Sequence, residues 1–536
     1  MRLLIWSLAA LAAAAAPATA GTMLYATAAT PGRIHGFCVG PNGALAGTPR
    51  VEVDTVGQYP SRLRVSATTR TLYVAENDRV EVFAIGTGGS LSRPTPSHVP
   101  LPVQNGTNSR DIALDCADGD TACVPTLLYV PERAFGRISA FRLDPTTGLP
   151  ASQSSESSVE DSGVEFEGLL YNPAVSPRLL YASQIIGDEG AVVAYPLCPD
   201  GRLGGCIADD PNDNDDPDDC NVGENPADHP EDTDGICDDD VTKDETEVPT
   251  PGSLADDDGV PLPCASPVAC EVPPASDPPT CPAPVTCPSD SFVCQPEAGG
   301  RCLCCRKVAS QRRNIPGAGA MVLRENPEGI VSECNPAPSP FRLYVEARFN
   351  QQLVAYNLDA SGNFDVKRFK KREGDPNSCL PKTKGEPPEE IPRQRASTKT
   401  DEGIRHQDLA VAGEAPRITI LGSQFGDGRV DGYRLNKKNR LTGQPSRTTR
   451  KDVRTSPVRM LVRDIALAED DPATADDERQ LNQVLYVAAG QYDRVQAYRL
   501  RATGLPATKN PFSETAPIGG SFPNDIALVD VQGACD

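Results

Sequence analysis

Short apolar runs bounded by polar turn residues recur along the whole chain. "LYVAENDRVEVFAI" (72–85) is representative: an apolar run, a polar break and a second run with alternation, which together predict two strands joined by a hairpin. Segments of the second kind end in an aromatic residue seven times, at Phe37, Phe83, Phe141, Tyr195, Tyr356, Tyr433 and Tyr498. Each follows a strand of the "LYVA" kind, centred on Tyr25, Tyr73, Tyr129, Tyr181, Tyr344, Thr419 and Tyr486. The spacings within the pairs are 12, 10, 12, 14, 12, 14 and 12 residues. All are even, so the two marker positions keep the same relative facing on a pleat of period two.

A glycine turn follows the second strand, as in "PNGALAG" (41–47), "GTGGSL" (86–91), "DPTTGLP" (144–150) and "RATGLP" (501–506), and leads into an outer strand. Upstream of each pair lies one more apolar strand, seen in "RLRVSA" from Arg62, "RDIALD" from Arg110, "EGLLYN" from Glu167, "QDLAVA" from Gln407 and "RDIALA" from Arg463. Four short strands per unit, repeated radially, predict an all-β, seven-bladed β-propeller. The first unit has no room for an upstream strand before Leu24, and "NDIALVD" (524–530) has no unit of its own. The C-terminal strand is therefore expected to close the ring in blade one.

The order "LYV", then "V-x-x-[FY]", then a T-G-x-L turn resembles the lactonase-like, YVTN-type seven-bladed propellers. The resemblance covers the blades, 21–197 and 317–536, and implies the fold. Families of this kind include sugar lactonases and enzymes acting on muconate-type rings. The inner strands here start "RDIAL" or "NDIAL", where the lactonase branch has a histidine-containing start.

The first 20 residues run from Arg2 through an alanine-rich apolar stretch to Ala18-Thr19-Ala20, the order of a secretory signal. No later apolar run approaches the roughly 18 residues of a spanning helix. A secreted or periplasmic monomer with no membrane span is expected, and eighteen cysteines in such a chain point to disulfides. Cys116 and Cys123 bracket one short loop, Cys38 and Cys535 would tie the closing strand to blade one, and Cys334 with Cys379 is a looser pairing.

Between Tyr181 and Tyr344 about a hundred extra residues form a Cys/Pro/Asp-rich insert, placed at 198–316 between blades four and five. From Asp209 to Asp258 there are 21 acidic residues and one lysine, against a formal charge of −23 for the chain, so the rest is close to neutral. "DDCNVGENPADHPEDTDGICDDD" (218–240) resembles a thrombospondin type 3 repeat. That implies calcium held by Asp232, Asp234 and Asp238 with Asp228 and Asp240 behind them, and a Cys220–Cys237 staple. Read from composition alone, the same stretch is a solvated acidic linker. The cysteines from 264 to 305 suggest a disulfide-held module, because their spacings are not those of zinc fingers. Ten Lys or Arg lie between Arg429 and Arg459 with two Asp. Without stacking aromatics, and in an acidic chain, they read as a solvated outer edge, and no nucleic acid partner is expected.

Propeller ligands sit where inner strands open onto the central channel. Asp111, Asp408, Asp464 and Asp525 occupy one repeated place near those starts, with Arg110, Arg463 and Glu167 beside or near it and His406 as the histidine best placed for base chemistry. These residues could form a polar ligand or metal site; equally, each aspartate could accept backbone amides of the turn or the next blade. No Gly-x-Ser-x-Gly, His-Glu-x-x-His or phosphate-loop motif is present. The sequence favours a non-enzymatic platform binding a protein, polysaccharide or cell-surface ligand, with calcium in the insert. The alternative is a lactonase-like hydrolase that uses the aspartate ring, Arg110, Arg463 and His406 on a small-molecule ring ester.

Overall fold

The protein is described by a computed structural model. It describes residues 20–57, 59–101, 109, 111–117, 120–160, 164–175, 178–186, 189–197, 201–203, 269–270, 292–297, 301–306, 310–314, 318–332, 335–348, 352–358, 362, 364, 369–372, 375–381, 394–397, 406–413, 417–424, 428–435, 441, 446–447, 457–465, 480–490, 493–518, 523–533 and 535.

Seven antiparallel sheets form the blades of a β-propeller, each with its strands in the order inner, second, third, outer. In blade one the inner strand is Pro523–Gln532, which pairs with Ala20–Ala28, so the ends of the chain close the ring within one sheet. A disulfide between Cys38 and Cys535 ties the same two ends, and Cys116–Cys123 closes a short loop in blade three. Both pairings match the expectation. Cys220, Cys237 and Cys334 lie outside the described residues, as does "DDCNVGENPADHPEDTDGICDDD".

Blade four uses Glu165–Asn172, Leu179–Ile186 and Glu189–Pro196, and takes Ser310–Asn314 as its outer strand. The chain thus leaves blade four after its third strand and returns to complete it, and the insert falls inside that blade. Within the insert, Ala269–Cys270, Arg301–Arg306 and Phe292–Glu297 make a three-stranded sheet.

Register explains why the repeat is legible. In every blade the residue pairing with the third-strand aromatic is the one just before the second-strand marker: Leu24 with Phe37, Leu72 with Phe83, Leu485 with Tyr498. Blade six corrects the sequence reading. Ile420 pairs with Tyr433, so the marker there is Leu421, not Thr419, and the spacing is 12. A leucine in place of tyrosine hid the frame.

The core is divided among the seams between blades. Seven apolar clusters each join two neighbouring sheets: Tyr25 and Leu63 share the seam of blades one and two, Tyr486 and Leu24 that of seven and one. No single element is buried on its own, because one face of each twisted sheet is covered only when the next blade is in place. Among the described residues no helix is long and apolar enough to cross a membrane.

Candidate functional site in the central channel

Register also fixes which residue of each inner strand stands at the channel. Counting back two places from the partner of the second-strand marker gives Asp525, Arg62, Asp111, Gly168, Ala320, Asp408 and Arg459 for blades one to seven. Five consecutive blades, from six round to three, therefore alternate acid and base. Blades four and five break the alternation with Gly168 and Ala320.

The charges pair around the ring. Arg62 Nε lies 2.5 Å from Asp111 Oδ1 and 3.7 Å from Asp525 Oδ2, while Arg459 lies 2.9 Å from Asp408 Oδ1 and 3.8 Å from Asp525 Oδ1. Each aspartate also reaches the next blade. Asp525 Oδ2 accepts the Leu63 amide (2.6 Å), Asp111 Oδ2 that of Leu169 (2.9 Å) and Asp408 Oδ2 that of Met460 (2.8 Å). Asp111 and Asp525 further accept the amide of their own successor through Oδ1. Three of the four aspartates singled out in the sequence thus converge, and they do so as ties between neighbouring blades.

Asp464 does not join them. The inner strand of blade seven is Pro457–Asp464, so Asp464 lies at its far end, exposed, where Gln483 donates to it. Arg463 pairs with Asp530 at that same far end, 2.5 Å away. The "RDIAL" match in blade seven is out of frame with the others, and the residues at the channel come from "VRMLV" instead. Arg459 is accordingly a channel residue and Arg429 is buried against Asp431, so these two are not part of a solvated outer edge. His406 begins the inner strand His406–Ala412, two residues before Asp408. Arg110, Asp228, Asp232, Asp234, Asp238 and Asp240 lie outside the described residues.

Glu167, just before the ring position of blade four, is buried between Arg133 (3.3 Å) and Arg348 (3.0 Å). Arg348 also pairs with Glu346. Arg348 belongs to blade five and was not found from sequence, because it follows the "LYVEA" strand instead of preceding it. The same holds for Arg62 and Arg64, which read as ordinary strand residues.

Where the ring opens at blades four and five, a cavity of about 40 Å³ is lined by Arg62, Arg64, Asp111, Glu167, Asp408 and Arg459 together with Arg348 and Gln407. That volume holds a few waters at about 10–15 Å³ each and is far below the roughly 300 Å³ of a pocket enclosing a whole drug-sized ligand. Burial pushes the Asp408 carboxyl up to about 7, against the pull of Arg62, and burial raises Asp525 as well. Among the described residues no three His, Cys, Asp or Glu side chains form a group able to hold a metal ion.

No family model matches the chain, and no curated protein matches it. Solved structures do match in shape. A protein from Lactobacillus plantarum is 12% identical with a TM-score of 0.50, over 95% of this chain and 100% of that one. The periplasmic gluconolactonase of Pseudomonas aeruginosa is 12% identical with a TM-score of 0.49, over 95% and 99%. What is shared is the fold.

Proposed function

We propose that the channel hydrolyses a polar ring ester, in the manner of a lactonase, with the ring held at the mouth and only its carbonyl admitted. The observation that carries this reading is the position of Asp408: a buried carboxylate that titrates near neutrality, facing a water-sized cavity lined by four arginines. A base with such a pKa is suited to proton transfer at ordinary pH.

In this reading Asp408 takes a proton from a water in the cavity as the water oxygen attacks the carbonyl carbon. Arg348 and Arg64, which both line the cavity, stabilise the negative charge that develops on the carbonyl oxygen. Collapse of the tetrahedral intermediate breaks the ring C–O bond, and the departing alkoxide takes the proton back from Asp408. The product is an open-chain hydroxy acid, whose carboxylate the arginines would also bind.

The blade ties favour a second reading, the binding platform, since Asp111, Asp525 and Asp408 itself all spend oxygens on amides and arginine. Hydrolysis of a panel of aldonolactones by the mature protein separates the two. Turnover that falls at least a hundredfold in a folded Asp408→Asn variant, and persists in Asp464→Asn, supports the hydrolase. Absence of turnover across the panel leaves the platform.

A further inference from the structure

The residue across the sheet from the channel position carries a hydroxyl in three blades: Thr27 in blade one, Ser183 in blade four and Ser423 in blade six. In two of them the fold uses that hydroxyl. The amide of Asp525 donates to Thr27 Oγ1 (3.1 Å) and that of Asp408 to Ser423 Oγ (2.9 Å), so each hydroxyl helps to seat a ring aspartate. Blade four has Gly168 at the channel position and no aspartate to seat. Ser183 is fully buried there, and its hydroxyl makes no hydrogen bond with any protein group.

A buried hydroxyl without a partner costs stability unless a water or a ligand engages it. The surroundings of Gly168 show where such a group would stand. A Cβ on Gly168 would lie 3.1 Å from Ser183 Oγ, 3.6 Å from Asp111 Oδ2 and 3.6 Å from the Gly319 carbonyl oxygen. Oxygens from blades four, three and five therefore surround one point, and Gly168, Asp111 and Gly319 all line the central cavity. Gly168 does not have a positive φ, so its backbone would accept a side chain. What the glycine does is leave that point open.

The three oxygens select the chemistry of an occupant. The ion-paired Asp111 carboxylate and the Gly319 carbonyl only accept hydrogen bonds, while the Ser183 hydroxyl still has its proton to give. A carbonyl, carboxylate or phosphate oxygen at this point would face two acceptors with nothing to donate. A hydroxyl fits, because it accepts from Ser183 and donates to Asp111 or Gly319.

We propose that Ser183, Asp111 and Gly319 form a subsite in the channel for one hydroxyl group of a small ligand, with Ser183 the residue that sets the preference. The cavity of about 40 Å³ has room for such an oxygen beside a carbonyl, at about 10–15 Å³ each. The subsite serves a hydrolase and a binding platform alike, because recognition needs no bond to break. Water competes for the same point, and a ligand without a hydroxyl to replace it loses those contacts.

Unreactive γ-lactams read this preference without turnover. The full mature chain is titrated with 2-pyrrolidinone and with its 3-hydroxy, 4-hydroxy and 5-hydroxymethyl derivatives, and binding is followed by ligand-observed NMR. The expected result is binding of one hydroxylated lactam about tenfold or more tighter than the parent. That preference is lost in Ser183→Ala and in Gly168→Ala, whose methyl group occupies the point itself. Equal binding of all four lactams to the wild type overturns the proposal, as does binding of none of them or a preference that survives in either variant.

Thermal denaturation without ligand separates a subsite from a structural hydroxyl. Ser423→Ala strips the Asp408 amide of its acceptor and should lower the melting temperature. Ser183→Ala removes a group with no protein partner and should leave the melting temperature unchanged. A fall in Ser183→Ala as large as that in Ser423→Ala identifies an ordered water held for the fold alone and overturns the proposal. Lactone turnover is a separate readout, since its absence removes the hydrolase and leaves the hydroxyl preference standing.

Discussion

The Tyr486 hydroxyl of blade seven donates to the Gly43 carbonyl of blade one at 3.0 Å, across the seam between the last blade and the first. The same latch recurs at other seams: Tyr25 to Gly89, Tyr73 to Gly148, Tyr129 to Gly201 and Tyr181 to Gly362. Each glycine has a positive φ, so its turn presents the carbonyl to the preceding blade. The repeated tyrosine and the repeated glycine turn are thus one device seen twice in the sequence. Blade six has Leu421 in place of tyrosine, and Thr419 donates instead to Thr503 beside Gly504.

The latch is separable from packing. Tyr486→Phe keeps the ring and removes the donor, and should cost about 1–3 kcal/mol because the Gly43 carbonyl is left without its buried partner. Gly43→Ala should cost more than the hydroxyl alone, since its Cβ would meet Val484 Cγ2 at 2.6 Å at a φ of +78°. Denaturant unfolding of the two variants beside the wild type measures both. Equal stability of Tyr486→Phe and wild type would show that the seam rests on apolar contact alone.

Asp525 and Asp464 occupy what look in sequence like the same place, and the structure predicts opposite outcomes for them. Asp525→Asn leaves one acceptor oxygen for the amides of Leu63 and Ile526 and removes the charge facing Arg62 and Arg459. It should destabilise the ring by about 1–3 kcal/mol. Asp464→Asn keeps an oxygen for Gln483 at an exposed position and should stay within about 0.5 kcal/mol of wild type. Thermal denaturation of the pair tests the assignment of ties by register.

The blade count, the closing strand and both described disulfides were legible because each rests on local pattern: period-two alternation, glycine turns and an unmatched "NDIALVD". The channel was half legible. Asp111, Asp408 and Asp525 stand out because they repeat. Arg62, Arg459 and Arg348 do not, since alternation of charge around a ring is a relation between blades separated by tens or hundreds of residues. The error at Asp464 has the same origin. Two similar tetrads, "VRML" and "VRDI", stand in tandem in blade seven, and only strand pairing shows which one faces the channel.

Ring closure joins residues 497 apart in sequence through Cys38 and Cys535. A cross-link over so long a loop restricts the unfolded chain strongly, and such bonds typically contribute about 2–4 kcal/mol. Cys535→Ser, which leaves the pairing of Pro523–Gln532 with Ala20–Ala28 in place, should still fold and should lose stability in that range. Loss of Cys116–Cys123, which closes only seven residues, should cost less. Unfolding of each variant under oxidising conditions ranks the two.

The buried acids set the direction of the pH response. Burial and then the charge of Glu81 push Glu76 up to about 8 from 4.5, and burial pushes Asp408 up to about 7 from 3.8. A carboxyl raised in the folded state contributes fully below its unfolded value, where both states hold the proton. Its contribution is lost as pH rises to the folded value, at about 1.4 kcal/mol per unit per group. Stability should therefore fall from about pH 5 to pH 8 and then level off, and Glu76→Gln should flatten the upper part of that fall. Catalysis runs the other way. If Asp408 is the base, kcat/KM should rise with pH through about 7 and plateau above it, as ionised Asp408 accumulates. The two profiles, melting temperature and lactone turnover against pH, cross in the same interval. Activity that falls across it instead would remove Asp408 from the role of base.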